Sequence, residues 1–575
     1  MMRVQLAALL ASAAVIGGCA TVPPEPVAAQ YDLLITGGTV FDGSGGAPFA
    51  GDVAIKGDRI VYAGPKAPGT ATRLVDARGM AVAPGFINML SWATASLLVD
   101  PIGQSDLRQG VTLEVMGEGW SMGPLTDKMK TLAVQRQGDI KYPIQWTTLG
   151  EYLGFLERKG IAVNVASFVG ATTIRQNVLG ETDIDPDAAQ LVRMRSLVRQ
   201  AMQEGALGVG TSLIYPPASF AETDELVALT REAAVCGGMY ISHMRSEGDR
   251  LLESVDELIE ISRRTGAPAE IYHLKQAGRA NWNKLDQVIA KVEKARTEGL
   301  RITANMYLYT AGETGLAASM PPWVQDGGTE AMLKQLRDPA IVARVKREMV
   351  QPGKDWENLY HHAGPEGVMI ASLTDPSLKP LIGKTIADVA KLRGVAPEQV
   401  VVDLTLEDQG RGGGVYFLMS EDNVRRQTSI PWMSFGSDAE ASAPEGVFLK
   451  SSTHPRAYGN FARLLGKYVR EEKTAPLADV IRRLTQLPAQ NLGLKDRGNL
   501  RPGMAADVVL FDPARIADHA TFAKPMQYST GVRDVFVNGV QVLSNGEPTG
   551  ATAGRFVKGA GWTGWPDGGK CNGRG

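Results

Sequence analysis

Over residues 31–82 apolar and polar positions alternate in short runs, the period that places one face of a strand in a core. In "DVAIKGDRIVYAG" two such runs flank Lys56-Gly57-Asp58, which reads as a hairpin turn. The pattern returns near the far end in "AADVVLFDP" and "VRDVFVNGVQVLSNGE", where Asn538-Gly539 is the turn. Two strand-rich segments bracketing a long middle predict one small β domain, built from 31–82 and 489–560.

The middle, 83–488, has a different rhythm. Apolar strand-like runs such as "GVTLEVMG", "LGVGTSLIY", "GGMYISH", "PAEIYHL", "LRITANMY" and "PWMSFGSD" alternate with helical stretches. In "DRLLESVDELIEISRRTG" Leu251, Val255, Leu258 and Ile259 fall on one helical face, and Gly266 ends the helix. Strand and helix in turn predict a parallel sheet, and about eight such units predict an α/β (β/α)8 barrel. The rhythm is lost over 316–426, which predicts an inserted subdomain or lid.

Length and composition narrow this reading. A chain of 575 residues exceeds a single compact core, and 44% apolar with 21% charged residues excludes disorder and fibre. Lys and Arg number 60 against 62 Asp and Glu with no basic block, so no nucleic acid partner is expected. At the start, "MMRVQLAALLASAAVIGGCA" carries Arg3 and then an apolar run from Leu6 to Ile16, too short to span a bilayer but suited to a signal peptide over 1–18. "IGGC" resembles a bacterial lipobox with Cys19 as the lipidated residue; an ordinary secretory signal is the alternative. Ala20 after that cysteine, by analogy with Gram-negative lipoproteins, favours a periplasm-facing protein on the outer membrane. Its lipid anchor would be followed by a Pro-rich tether over 19–30. Cys236 and Cys571 are expected to stay unpaired, the first buried as a small hydrophobe, the second in a flexible Gly-rich tail over 561–575.

The candidate chemistry sits at predicted strand ends. Of six histidines, His243 and His273 close neighbouring strands, one β/α unit apart, and would aim two imidazoles into one barrel mouth. Asp438 follows the strand in "SFGSDAEAS", where a carboxylate can take a proton from water; a helix cap is its plainer use. Lys275, Arg245 or Arg279 could hold a substrate carboxylate.

The segments "YDLLITGGTVFDGSG", "APGFI", "QGVTLEVMGEG", "SHMRSEG", "YHLK", "FGSDA", "THPRAYGNFARLLGKYVRE", "LRPGMAADVVLFDP" and "VFVNGVQV" together resemble the amidohydrolase superfamily, within it the D-aminoacylase group. They cover nearly the whole chain after the leader, and "HPRAYG" is the most group-specific. The resemblance implies a TIM barrel with a small β-sandwich, and hydrolysis of an N-acyl amide on a D-amino acid. It places His243 and His273 as metal ligands, Asp438 as the catalytic aspartate, and Lys275 and Tyr307 against substrate. His454 and Arg456 fall in its signature stretch without a role that the sequence defines.

The chain also departs from the group. Where the group reads "PGFIDxHxH", Asn88, Leu90 and Trp92 stand here, and Gly119 occupies the column of a cysteine ligand. What remains is one metal's worth of donors. Glu118 closes the second predicted strand and is the expected third ligand, giving a His2Glu set with an open position, suited to one Zn2+ per chain. A surface or substrate-binding carboxylate is the alternative for Glu118, and Trp92 is expected to wall an apolar pocket. The expected partner is a small N-acyl amino acid or short peptide. A D-peptidase, dipeptidase or cyclic-amide hydrolase, and a non-catalytic scaffold lipoprotein, are the competing readings.

Overall fold

A computed structural model describes residues 30–572. The signal peptide, Cys19 and the tether up to residue 29 lie outside the described residues.

Eight parallel strands form the barrel: Phe86–Asn88, Val111–Met116, Asn164–Ser167 (resuming at Val169–Gly170), Gly208–Ser212, Met239–His243, Ala269–Ile271, Ile302–Met306 and Met433–Phe435. Hydrogen bonds from Met89 N to Phe435 O (3.1 Å) and from Asp438 N to Leu90 O (2.8 Å) close it. Alternation places each strand's residues: Met239 and Ile241 pack inside with Leu113, Val115 and Phe168, while Tyr240 joins the layer between barrel and helices. His243 continues the inward series and so arrives at the mouth. Outside, the helix Leu251–Thr265 buries Leu251, Val255, Leu258 and Ile259, and Gly266 ends it in the left-handed conformation (φ 72°).

Both ends of the chain build the second domain. Ala81–Pro84 pairs antiparallel with Val508–Phe511, which joins the N-terminal strands Gln30–Val40, Phe49–Lys56 and Arg59–Gly64 to Val532–Val537 and Val540–Ser544. Alternate residues of the joining strands face opposite ways. Val82, Leu510 and Phe536 enter the core of the β domain; Ala81, Ala83, Val509 and Phe511 pack against the barrel.

After the seventh barrel strand the chain leaves to form an antiparallel sheet of Ala311–Gly315, Val368–Ser372 and Gly413–Phe417 with its own helices and its own core, including Leu316, Val345, Ile370, Leu404 and Tyr416. Its first strand is half-exposed and Gly-rich, so nothing in its hydrophobic pattern announces it. The insertion roofs the barrel mouth. Glu357, 7% exposed, accepts a 2.6 Å hydrogen bond from Ser246 Oγ, in the loop that follows the fifth barrel strand.

The tail corrects the sequence reading. Residues 554–572 are not loose: they form a strap across the strand starts, with hydrogen bonds from Gly554 N to Ile161 O (2.7 Å), Val557 N to Val165 O (2.9 Å) and Gly559 N to Gly205 O (2.9 Å). Glycine here serves close approach rather than disorder. A Cβ at Gly554 or Gly559 would lie 2.0 or 2.3 Å from a backbone carbonyl oxygen. Cys571 ends the strap in a disulfide with Cys236, which is therefore neither free nor simply a buried hydrophobe.

Two outcomes follow. In a protein starting at residue 20, thiol titration after denaturation without reductant should find no free cysteine, and Cys571→Ala should lower unfolding stability by ~2–4 kcal/mol. Two free thiols in material folded under oxidising conditions would reject the bridge. Burial pushes the Glu357 carboxyl up to about 7. The folded state thus holds a proton that the unfolded state releases near the ordinary carboxylate value. That stabilisation is complete below the unfolded value and is lost as pH rises through about 7. Glu357→Gln should therefore stabilise the protein at pH 8 by up to about 3 kcal/mol and change it little at pH 4. A pH-independent difference in denaturant melts would reject this.

Candidate metal centre and active site

Glu118, His243 and His273 meet at the barrel mouth, each buried. His243 Nδ1 and His273 Nε2 both lie 2.9 Å from Glu118 Oε1, and the two rings stand nearly perpendicular, 4.4 Å apart. Adjacent strands explain the pair: Ser242 is in register with Ile271, so the two histidines emerge side by side. His273 adopts φ 33°, and a hydrogen bond from its backbone N to Asn305 Oδ1 (2.8 Å) holds it there. Asn305 is itself fixed by donating to Glu270 Oε1 (2.9 Å).

A second carboxylate, which the sequence reading missed, stands behind the histidines. Glu247 Oε1 lies 3.0 Å from His273 Nδ1 and 2.6 Å from Lys275 Nζ, and its Oε2 lies 3.5 Å from His243 Nε2. Both imidazoles thus turn one nitrogen to Glu118 and the other to Glu247. The signal was Glu247 itself, four residues past His243 in "SHMRSEG". Burial opposes charge on Glu118, but His273 and His243 outweigh it and hold its carboxyl well below the usual range. Glu247 is held down likewise, against burial, by His243, Lys275 and His273. On His273, burial and Lys275 act downward, yet Glu247 and Glu118 prevail and raise it to about 9.

Asp438, at φ 52°, faces the same point from the eighth strand. Its Oδ2 pairs with the buried Arg456 at 2.7 Å. Trp92 Nε1 donates to both Asp438 Oδ1 (3.1 Å) and Glu118 Oε2 (3.0 Å), so the indole is a polar tie as well as a wall. Burial raises the Asp438 carboxyl above its ordinary value, with Arg456 pulling the other way. His454 explains the signature stretch. Its Nδ1 accepts from Arg456 N (3.0 Å) and its Nε2 donates to Ala311 O (2.8 Å), which seats Arg456 over the Tyr307 ring at 4.6 Å.

Lys275 and Tyr307 line the open cavity of about 650 Å3 above these groups, together with Arg456. Arg245 does not, which corrects its assignment to substrate. Its guanidinium is bound to Glu257 and to the carbonyls of Ser219 and Ala221, because the loop before the helix at 223 presents those acceptors first. Arg279 lies exposed at the start of a short helix, also away from the cavity. Where the resemblance would place two further histidines, Leu90 is wholly buried in the barrel interior.

The trio fits a divalent cation. One carboxylate oxygen and two imidazole nitrogens lie within 4.8 Å of one another, a donor set that zinc takes with a position left open. Each ligand is braced from outside, by Trp92 or by Glu247 and Lys275, as ligands of catalytic metals are. A TIM barrel with a β-sandwich from both termini and such a mouth defines a metal-dependent hydrolase.

The chain belongs to the Amidohydrolase family, whose model matches residues 73–543. It is 32% identical to an N-acyl-D-aspartate deacylase from Alcaligenes xylosoxydans xylosoxydans, over 91% of this chain and 94% of that one. A crystal structure of D-aminoacylase superposes with a TM-score of 0.75 at 29% identity, covering 92% of this chain and 100% of that one. An N-acyl-D-glutamate deacylase from Bordetella bronchiseptica, complexed with zinc and a phosphonate mimic of the tetrahedral intermediate, gives 0.74 at 28% identity with the same coverage.

Glu118→Ala should reduce the metal retained after dialysis about tenfold or more, read by mass spectrometry. Undiminished retention would place the ion elsewhere.

Proposed function

We propose that this protein hydrolyses N-acyl-D-amino acids to a carboxylate and a D-amino acid, using one zinc ion held by Glu118, His243 and His273. The observation that carries the reading is the convergence of that trio with Asp438 and a cluster of carboxylate-binding donors in one cavity. A bound zinc supplies Lewis acidity, polarising a carbonyl and acidifying water. Asp438 accepts the proton of the attacking water, and its raised basicity suits it to do so near neutral pH. The water oxygen bonds to the acyl carbon, the C–N bond breaks, and Asp438 returns the proton to the departing nitrogen. Arg456 and Lys275, gathered about the Tyr307 ring at 4.6 and 5.5 Å, suit the substrate carboxylate, and the partnerless Tyr307 hydroxyl can complete its hydrogen bonds.

A single ion is favoured because Leu90 is sealed in apolar packing, while the Trp92 N–H fills the gap between Glu118 and Asp438 that a second cation would need. Export by a lipid anchor at Cys19 to the periplasmic face of the outer membrane is part of the proposal. The Cys236–Cys571 bridge supports it, since such bonds persist in oxidising compartments.

Asp438→Asn should lower kcat on an N-acyl-D-amino acid by about 10²–10⁴ and leave zinc content unchanged. Full turnover in the variant would remove Asp438 from the proton's path.

A further inference from the structure

The cavity holds more negative charge than the proposed reaction uses. Lys275 is matched by Glu247, Arg456 by Asp438, Asp139 by Lys379, and Glu118 faces the ion site. Two carboxylates remain. Glu313, on the first strand of the insertion, accepts one hydrogen bond, from His454 N at 3.1 Å, and forms no ion pair among the described residues. Glu440, two residues past Asp438, is exposed to the cavity and has no hydrogen bond or ion pair among the described residues. Arg411 lines the same cavity, but its Nε donates to Asp408 O at 3.0 Å and it pairs with neither glutamate.

The hydroxyl proposed above to meet the substrate carboxylate lies at this end of the cavity, so the same ligand reaches both. The Tyr307 hydroxyl, on a residue only 4% exposed, has no partner among the described residues. It points beside Gly312, where a Cβ would lie 3.4 Å from it, next to Glu313. A buried hydroxyl left unpaired is costly unless a bound polar group satisfies it. Tyr142, in the wall near Glu440, adds an aromatic ring of the kind that favours cations.

We propose that Glu313 and Glu440 form a specificity site for a positively charged side chain on the amino-acid half of the substrate, an ammonium or guanidinium as in N-acyl-D-lysine or N-acyl-D-arginine. The inference rests on the deacylase reading above and gives it a substrate class. Glu440 is close enough to Glu313 for the two carboxylates to repel, a repulsion that a bound cation relieves. The charge falls on the amino-acid half because Glu313 lies by Arg456, where the α-carboxylate would bind.

The test uses the zinc-loaded protein with N-acetyl-D-arginine, N-acetyl-D-lysine, N-acetyl-D-norleucine and N-acetyl-D-glutamate. The basic substrates should exceed the neutral one in kcat/KM by about tenfold or more. Glu440→Gln and Glu313→Gln should each collapse that ratio about tenfold; the glutamine at 313 keeps an acceptor for His454 N. A second arm needs no turnover: free D-arginine should raise the melting temperature of wild type more than D-norleucine does, and Glu440→Gln should abolish the difference. Preference for the neutral or acidic substrate, or for a dipeptide carrying its ammonium on the acyl half, overturns the proposal, as does a ratio unchanged in both variants. If no N-acyl-D-amino acid is turned over, the deacylase reading fails by itself. The melting arm then decides: a D-arginine shift lost in Glu440→Gln upholds the cation site, and no such shift overturns it.

Discussion

Everything at the barrel mouth is arranged around one buried carboxylate. Glu118 is 4% exposed, and an isolated ionised acid at that depth would cost several kcal/mol. Two imidazoles on one oxygen and an indole N–H on the other remove that cost. The demand propagates outward. His243 must lie beside His273, so the fifth and sixth strands must pair in one register. His273 must turn through a left-handed backbone conformation, which Asn305 and Glu270 hold from the barrel interior. A polar layer inside an otherwise apolar barrel is thus the support of the site rather than a flaw in the core.

The same logic explains what stands in place of the expected histidines. Gly436 has no side chain, and a Cβ there would lie 2.7–2.8 Å from Leu90 atoms. The gap lets Leu90 carry the apolar core up to the mouth on one side. On the other, Trp92 closes it with a donor instead of a ligand. A neutral N–H bridging two carboxylates screens them less than an ion would, and burial, then Glu118, raise the proton affinity of Asp438 against the pull of Arg456.

The barrel, the shared β domain and the residues at its strand ends were legible because period and spacing carry them. Alternation announced the strands, and the one-unit spacing of His243 and His273 announced their meeting. Family resemblance then narrowed Asp438 and Lys275, but it gave Arg456 no task, because that task depends on contact with Asp438 and Tyr307 across long separations. Glu247 was hidden in a quoted motif, since an acid four residues past a histidine has many uses. Arg245 looked available because its competitors, Glu257 and two carbonyls, are invisible without the helix that brings them. The strap misled for a related reason. Glycine-rich composition signals disorder only when nothing approaches the backbone, and here the carbonyls of Val163 and Ala206 do.

The chemistry sits on the barrel, while part of the cavity wall comes from a separate support. Ligands and Asp438 sit on barrel strand ends, fixed by the closed sheet. Glu313, Arg411 and Tyr416 reach the cavity from an insertion with its own hydrophobic core. Hydrogen bonds join the two bodies near the mouth: Ser246 to Glu357, Gly278 N and Trp282 Nε1 to Leu418 O at 3.0 and 2.9 Å, and His454 to Ala311 O and Glu313 at 2.8 and 3.1 Å. An independently packed roof can change its charges without disturbing the metal ligands below. Such a division lets one barrel mouth serve substrates of different charge. The proposed cation site straddles that division, with Glu313 on the roof and Glu440 on the barrel, above the trio of Glu118, His243 and His273.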